Sequence, residues 1–131
     1  MVWDVLQKTW WVGLGGFLGA NARYWLGGWI QEQWGASFPW ATFVINVSGS
    51  FVLGFFISLV MERLAVPHAS TLRLLVAIGF VGAFTTFSTF ELETFHLVSS
   101  GDWLRAFGYA FGSLCAGFLA VWLGMVLGRT L

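Results

Sequence analysis

The residues with the clearest chemical potential lie in one stretch, residues 79–90, where glycines, hydroxyl side chains and phenylalanines are interleaved. Glycine gives a helix no side-chain support, and serine and threonine hydroxyls compete with the helical ladder by bonding to backbone carbonyls. The stretch therefore predicts a break in a helix. The hydroxyl-bearing residues are Thr85, Thr86, Ser88 and Thr89.

Two phenylalanines in this stretch give it a possible affinity for anions. Phe87 and Phe90 are three positions apart, so on a helix both rings project to one side. The edge of a phenyl ring carries partial positive charge, and hydroxyl donors beside such edges suit a dehydrated anion better than a cation. The competing interpretation is a serine- and threonine-rich helix that serves packing alone.

The elements that must hold this stretch are transmembrane helices. The 131 residues are 58% hydrophobic and 9% charged, against about 25% charged in soluble domains. Four apolar blocks, at about residues 10–30, 40–61, 72–98 and 103–127, each reach the roughly 20 residues that span a bilayer. We expect an all-α integral membrane protein with four helices in a single domain, residues 1–131. A net charge of zero gives no reason to expect nucleic-acid binding.

Several polar side chains fall inside these blocks, where they are costly unless they face protein, a partner or water. For Asn46, a helix–helix hydrogen bond and contact with a permeant species are both open. For Arg23 and Glu91, the alternative to function is an interfacial ion pair or snorkelling. The remaining candidates are Thr42, Glu93, Tyr109 and Ser113.

Rows of small residues predict close helix packing. Gly15 and Gly19 have GxxxG spacing in the first block. The second block carries Asn46, Ser50, Gly54 and Ser58, and the fourth carries Gly108, Gly112, Ala116, Ala120, Gly124 and Gly128. Four short helices offer more close-contact faces than one protomer can bury, so we expect a homo-oligomer, most simply a dimer. The positive-inside rule favours cytoplasmic termini by only two or three charges, so insertion in both orientations stays open.

Three motifs in order resemble the small bacterial fluoride channels called Fluc or CrcB. The run from Gly82 through Thr85-Thr86-Phe87-Ser88-Thr89-Phe90 is similar to the family signature, and the other two motifs run from Gly15 to Tyr24 and from Pro39 to Gly49. The resemblance covers nearly the whole chain. It implies an antiparallel, dual-topology dimer in a bacterial or archaeal inner membrane, with two pores that export fluoride passively from the cytoplasm.

The resemblance also implies roles for individual residues. Phe87 and Phe90 would face the ion, and the rest of the pore would comprise Asn46, Thr42, Ser113, Tyr109, Thr86 and Glu93. Arg23 would lie at the vestibule end. The backbone carbonyls of Gly82 and Thr85, from both subunits, would hold a structural Na⁺ at the dimer centre. The partner would be an identical chain or a separately encoded homologous protomer.

Two positions depart from the family pattern. Gly117 stands where a second serine is expected one turn after Ser113, so another group or water must supply that end of the pore. Glu91 replaces a small residue after the last phenylalanine. Its carboxylate should repel fluoride unless it is protonated or paired, for example with Arg23 or Arg105.

Two other functions are weaker readings of the same sequence. A proton-coupled exporter of the small multidrug resistance type needs a carboxylate embedded in its first helix, and the first apolar block has none. A purely structural subunit does not explain hydroxyls clustered beside paired phenylalanines. An enzyme is not expected, because there is no nucleophile–base pair, metal-ligand cluster or nucleotide loop.

Overall fold

The computed structural model describes residues 1–64 and 66–131, and every regular element within them is helical. Helix α1 is Val2–Trp34, α2 is Trp40–Arg63, α3 covers residues 69–84, α4 is Phe87–Ser99 and α5 is Trp103–Thr130. The last turns of α2, Ile57–Arg63, and most of α3, Arg73–Val81, are π-helical. The third predicted block is thus two helices, α3 and α4.

Three of the long helical segments are sufficiently long and apolar to cross a membrane: Trp40–Arg63, Ala69–Ser99 and Trp103–Thr130. Helix α1, rich in tryptophan and glycine, is not among them, although it has 33 residues. At about 1.5 Å per residue it is about 50 Å long, more than a bilayer core of about 30 Å. The predicted block 10–30 is its apolar part. The added first turns mix apolar and polar residues and carry a Lys8–Asp4 ion pair of 2.9 Å.

Close packing between α1 and α3 rests on small residues, as the GxxxG spacing predicted. A Cβ added at Gly79 would lie 2.8 Å from the carbonyl oxygen of Val12 and 2.9 Å from the Cα of Gly15. A Cβ at Gly19 would collide with the carbonyl oxygen of Phe80. Both helices therefore bring their backbones into direct contact, and a larger side chain at these positions would push them apart.

Helices α2 and α5 form the other close pair. A Cβ at Gly54 would collide with the carbonyl oxygen of Val121, and one at Gly124 would collide with that of Phe51. The row of small residues on α5 contacts α2 closely only in its second half, at Gly124 and Gly128. A Cβ at Gly108 or Gly112 would meet nothing within 4 Å among the described atoms. The first half of α5 therefore leaves its small-residue face open.

The two ends of the bundle are closed by charged side chains. At the end that holds both termini, Arg63 donates to the carbonyl of Arg129, and Arg129 lies 3.5 Å from Glu62. At the other end, Arg105 lies 3.5 Å from Asp102 and donates to the carbonyl of Ser37. These contacts lie far from the break between α3 and α4, which sits midway along the bundle.

Candidate functional site

The predicted interruption of the third block lies at Thr85 and Thr86. Both residues are extended, with φ −80° and ψ 159° at Thr85 and φ −149° and ψ 116° at Thr86. Helix α3 ends before them at Phe84 and α4 begins after them at Phe87. Thr85 Oγ1 donates to the carbonyl of Val81 at 2.9 Å, and the Thr85 N–H bonds to the same carbonyl at 3.0 Å, so this hydroxyl adds to the last helical bond and does not replace it.

The side chain of Asn46 stabilises this break by bonding to the backbone of Thr86. Its Oδ1 accepts from the backbone N–H of Thr86 at 2.8 Å, and its Nδ2 donates to the carbonyl of Thr86 at 3.0 Å. One amide thereby satisfies both backbone groups of a residue that has left the helix, which a site at membrane depth requires. Of the two roles that the sequence left open for Asn46, this geometry shows the helix–helix hydrogen bond.

The last backbone carbonyls at the end of α3 lose their helical partners at the break, among them those of Gly82 and Thr85. In a continuous helix the N–H of Thr86 would bond to the carbonyl of Gly82, and that of Thr89 would bond to the carbonyl of Thr85. The Thr86 N–H goes to Asn46 instead, and the Thr89 N–H goes to Thr86 Oγ1 at 3.3 Å. Thr86 is therefore the N-cap of α4. Gly82 and Thr85 are left with carbonyl oxygens outside the helical ladder.

Arg23 lies at this break and not at a helix end. Its Nη1 donates to the carbonyl of Thr85 at 3.3 Å, so a half-buried arginine on α1 reaches the break between α3 and α4. This is one of the five N–H groups that an arginine can donate. The vestibule role that the resemblance implied for Arg23 stays a prediction.

A cavity of about 500 Å³ opens beside the break. Its lining includes both phenylalanines, whose ring centroids are 5.8 Å apart, with Phe87 71% exposed and Phe90 7% exposed. Ser113 also lines it, and its buried Oγ has no hydrogen-bond partner among the described residues. The other polar lining residues are Asn46, Ser50, Thr85 and Thr86.

A second cluster surrounds the carboxylate of Glu93. Thr42 Oγ1 donates to Oε1 at 2.9 Å, and the Tyr109 hydroxyl donates to Oε2 at 2.7 Å. Thr42 and Tyr109 are 4% and 1% exposed, whereas Glu93 is half-buried. Three predicted pore residues from three helices thus meet at one carboxylate.

The buried ring of Phe90 lies between these two groups of residues. It faces the cavity beside the break and also lies 5.1 Å from the ring of Tyr109, between centroids. Beyond Tyr109, Glu93 borders a second cavity of about 360 Å³ near the 35–41 loop and the end of α4. The two cavities are therefore separated by a wall made chiefly of Phe90, Tyr109 and the Glu93 cluster.

The candidate residues thus divide into two adjacent groups. Asn46, Thr86, Phe87, Phe90 and Ser113 line the cavity at the break. Thr42, Glu93 and Tyr109 form the hydrogen-bonded cluster behind Phe90.

Two residues that line these cavities, Ser50 and His96, were not predicted from the sequence as site residues. Ser50 lines the cavity at the break, and its Oγ would lie 3.7 Å from a Cβ at Gly117. A hydroxyl from α2 therefore reaches the place where the family pattern puts a serine on α5. The signal was available, because Ser50 follows Asn46 by one helical turn. His96, which borders the second cavity, likewise follows Glu93 at helical spacing.

Comparison with known proteins supports the family resemblance seen in the sequence motifs. The family model described as "CrcB-like protein, Camphor Resistance (CrcB)" matches residues 10–125. A protein of Acidobacterium capsulatum named fluoride-specific ion channel FluC is 47% identical over 123 residues, which cover 94% of this chain and 97% of that protein. Proteins with the same name from Magnetococcus marinus and Chloroflexus aurantiacus are 47% and 43% identical, over 91% and 90% of this chain.

These relatives are named as ion channels and not as enzymes, and each match extends over nearly the full length of both proteins. The family match includes the break, both phenylalanines, Asn46 and the Glu93 cluster. The chain belongs to the CrcB family of fluoride channels, as its three sequence motifs indicated.

Proposed function

We propose that this chain forms a fluoride-selective channel that lets fluoride leave the cytoplasm passively. The observation that carries the proposal is the cavity beside the break, where the Phe87 and Phe90 rings lie together with the unpartnered hydroxyl of Ser113. The names of the relatives support fluoride as the ion. Passive export is physically sufficient, since hydrofluoric acid enters as a neutral molecule and dissociates inside. The inside-negative membrane potential then drives the anion out.

The proposed path runs from the cavity at the break, past the edge of Phe90, to Tyr109, Thr42 and the second cavity. Along it, phenyl ring edges and the Ser113 hydroxyl would replace water that fluoride loses. The Glu93 carboxylate accepts hydrogen bonds from Thr42 and Tyr109, which fixes both side chains at the wall between the cavities. Chloride holds its hydration less tightly but is larger, so a narrow passage at Phe90 would exclude it by size.

The pore needs a second protomer to close it. Phe87, Ser88 and Thr89 are exposed on a single chain, at a depth where hydroxyl groups are costly against lipid. The open faces at Gly108 and Gly112 offer room for another helix. We propose an antiparallel homodimer with α1 as the fourth transmembrane helix of each protomer. Two-fold symmetry then gives two pores in the inner membrane of a bacterial or archaeal cell.

A structural Na⁺ at the dimer centre is consistent with the chemistry of the break. Hard cations prefer oxygen ligands, and broken transmembrane helices supply them as carbonyls that have left the helical ladder. Gly82 and Thr85 provide such carbonyls, and Gly82 is exposed. Two oxygens from each protomer would hold the ion, whose positive charge would offset the negative partial charge at the C-terminal ends of the two α3 helices. Asn46 contributes to this site by accepting the Thr86 N–H, which leaves the carbonyl of Gly82 free for the ion.

The proton-coupled exporter is the weaker alternative. The hydrogen-bonded carboxylate of this chain is that of Glu93 on α4, which is half-buried, and the apolar part of α1 contains no carboxylate that a proton could titrate during transport. The matched relatives are named as channels. Flux that depends on a proton gradient and carries organic cations would favour this alternative.

The proposal is tested by fluoride efflux from proteoliposomes containing the purified protein, followed with a fluoride electrode. Phe87→Ile and Phe90→Ile should each lower efflux at least tenfold, because an aliphatic side chain has no positive edge. Phe107→Ile is the matched control, since Phe107 is 70% exposed on α5 and lies outside both cavities. Normal efflux in both pore variants would refute the role of the rings. Purification of the single gene product as an active dimer distinguishes the homodimer from a pairing with a second protomer.

A further inference from the structure

The carboxylate of Glu91 has no cationic partner among the residues of its own chain that the structure describes. Among the described residues it makes no hydrogen bond or ion pair, and it is exposed one turn into α4. At about 1.5 Å per residue, Glu91 lies about 12 Å from the end of α4 at Ser99. Its side chain also leans toward the N-terminus of α4, which is toward the break and away from that end. Glu91 therefore does not reach water by snorkelling.

The chain provides one cation near the level of the break, Arg23, which bonds to the carbonyl of Thr85. Arg23 lies about 16 Å from the end of α1 at Trp34, and α1 and α4 end on the same side, because Gln31 and His96 border one cavity. Its one hydrogen bond within the described residues goes to the neutral carbonyl of Thr85, which leaves most of its N–H groups free. The other basic side chains lie near the helix ends: Lys8, Arg63, Arg73, Arg105 and Arg129.

These two complementary charges are kept apart within one protomer. Helix α1 lies along α3, whereas α4 lies against α5 and α2. Arg23 is directed to its own Thr85, and Glu91 shares the exposed side of α4 with Phe87 and Ser88. A bare carboxylate and a largely unpaired guanidinium at membrane depth both need a counter-charge. A second copy of the chain would supply one to each.

We infer that Glu91 of each protomer pairs with Arg23 of the partner subunit. The inference rests on the proposed antiparallel dimer, in which the two breaks meet near the two-fold axis. Because Arg23 reaches the break of its own chain, the axis brings the partner subunit's Arg23 toward the face of α4 that carries Glu91. The pair occurs twice by symmetry. It neutralises the carboxylate that would otherwise repel fluoride, and it offsets two guanidinium charges close to the proposed Na⁺.

Disulfide cross-linking tests the pairing directly. In a Cys115→Ala background, the double variant Arg23→Cys, Glu91→Cys should oxidise to a covalent dimer on a non-reducing gel. The matched control is Arg23→Cys with Leu92→Cys, because Leu92 is also exposed but is rotated by about 100° on α4. The Glu91 pair should give at least five times as much covalent dimer. Equal yields, or loss of both thiols in a band that stays monomeric, would overturn the inference.

A second measurement covers the case in which the cysteine variants do not fold. In dimerisation measured by Förster transfer in vesicles, Glu91→Gln should weaken association about tenfold. The same change made in an Arg23→Gln background should weaken it less than twofold, because the partner is already absent. Equal effects in both backgrounds would contradict the pairing. If Glu91 instead faced the pore unpaired, Glu91→Gln would raise fluoride efflux and leave association unchanged.

Fluoride efflux of the unmodified protein in the same preparation separates this inference from the proposed function. An active dimer without the Glu91 cross-link would overturn the ion pair and leave the channel intact. An inactive monomer would overturn the proposed function itself, and with it the interface on which the pair depends.

Discussion

Replacing Asn46 by leucine isolates the contribution of one side chain to the break between α3 and α4. Leucine is close to asparagine in size but makes no hydrogen bond. The change removes two bonds of 2.8 Å and 3.0 Å and leaves the N–H and the carbonyl of Thr86 without these partners. The residue is at membrane depth, where water does not readily replace a lost partner.

The expected cost follows from the two unsatisfied groups. Each buried backbone group left unpaired costs about 1–3 kcal/mol, so the two together cost about 2–6 kcal/mol. Membrane proteins fall toward the lower end of such ranges, since their unfolded helices find other partners within the bilayer. We therefore expect Asn46→Leu to lower the free energy of unfolding by at least about 2 kcal/mol.

A compensating rearrangement is available to the variant. With Asn46 absent, the N–H of Thr86 can return to the carbonyl of Gly82, and α3 and α4 can join into one helix. That would recover part of the lost stability but would remove the carbonyl of Gly82 from the proposed Na⁺ site. The variant should therefore lose fluoride efflux even if it folds.

The assay is unfolding in mixed detergent–SDS micelles, followed by circular dichroism, alongside fluoride efflux from proteoliposomes. Ser48→Ala is the matched control, because Ser48 lies on the same helix and bonds only to the carbonyl of Ile45 in its own chain. It should change the unfolding free energy by less than about 1 kcal/mol. An Asn46→Leu protein with unchanged stability and full efflux would refute the assigned role of the amide.

Two further predictions concern packing and the path behind Phe90. Gly124→Ala should destabilise the protomer by about 1–3 kcal/mol, because the added Cβ collides with the backbone of α2. Gly112→Ala is the control and should leave unfolding of the protomer in SDS titrations nearly unchanged, since its Cβ meets nothing within 4 Å among the described atoms. Equal effects would contradict the described α2–α5 contact. Tyr109→Phe removes one of the two hydroxyl donors to Glu93 and should lower fluoride efflux several-fold while the protein still purifies in its normal oligomeric state; unchanged efflux would exclude the hydroxyl from the path.

Much of the helical architecture could be predicted from residue patterns. The apolar blocks located α2 and α5 to within a few residues, because lipid requires long uninterrupted apolar runs. They underestimated the length of α1, because its first turns, which contain Asp4 and Lys8, continue the helix before the apolar block. The break was predicted from its glycines and hydroxyls, but its position at Thr85 and Thr86 depends on Asn46, which is distant in sequence.

The candidate site could be predicted only in part, because many of its contacts join residues that are distant in sequence. Spacing along one helix placed Phe87 and Phe90 together, as observed. The Glu93 cluster joins α2, α4 and α5, and no periodicity within one helix reveals such contacts. Ser50 lies beside Gly117 across two helices, and such a contact becomes visible only when both backbones are placed. Neither suggested partner of Glu91 is paired with it within the protomer, since Arg23 bonds to Thr85 and Arg105 to Asp102 and Ser37.

The most direct test of the central claim is ion efflux from proteoliposomes loaded with both fluoride and chloride, with the potassium ionophore valinomycin added to balance charge. We expect rapid loss of fluoride with chloride retained, and no loss of either ion from protein-free vesicles. We also expect that flux needs only the electrochemical gradient and no proton gradient. Fluoride retention equal to that of empty vesicles, or equal loss of both ions, would contradict a fluoride-selective channel.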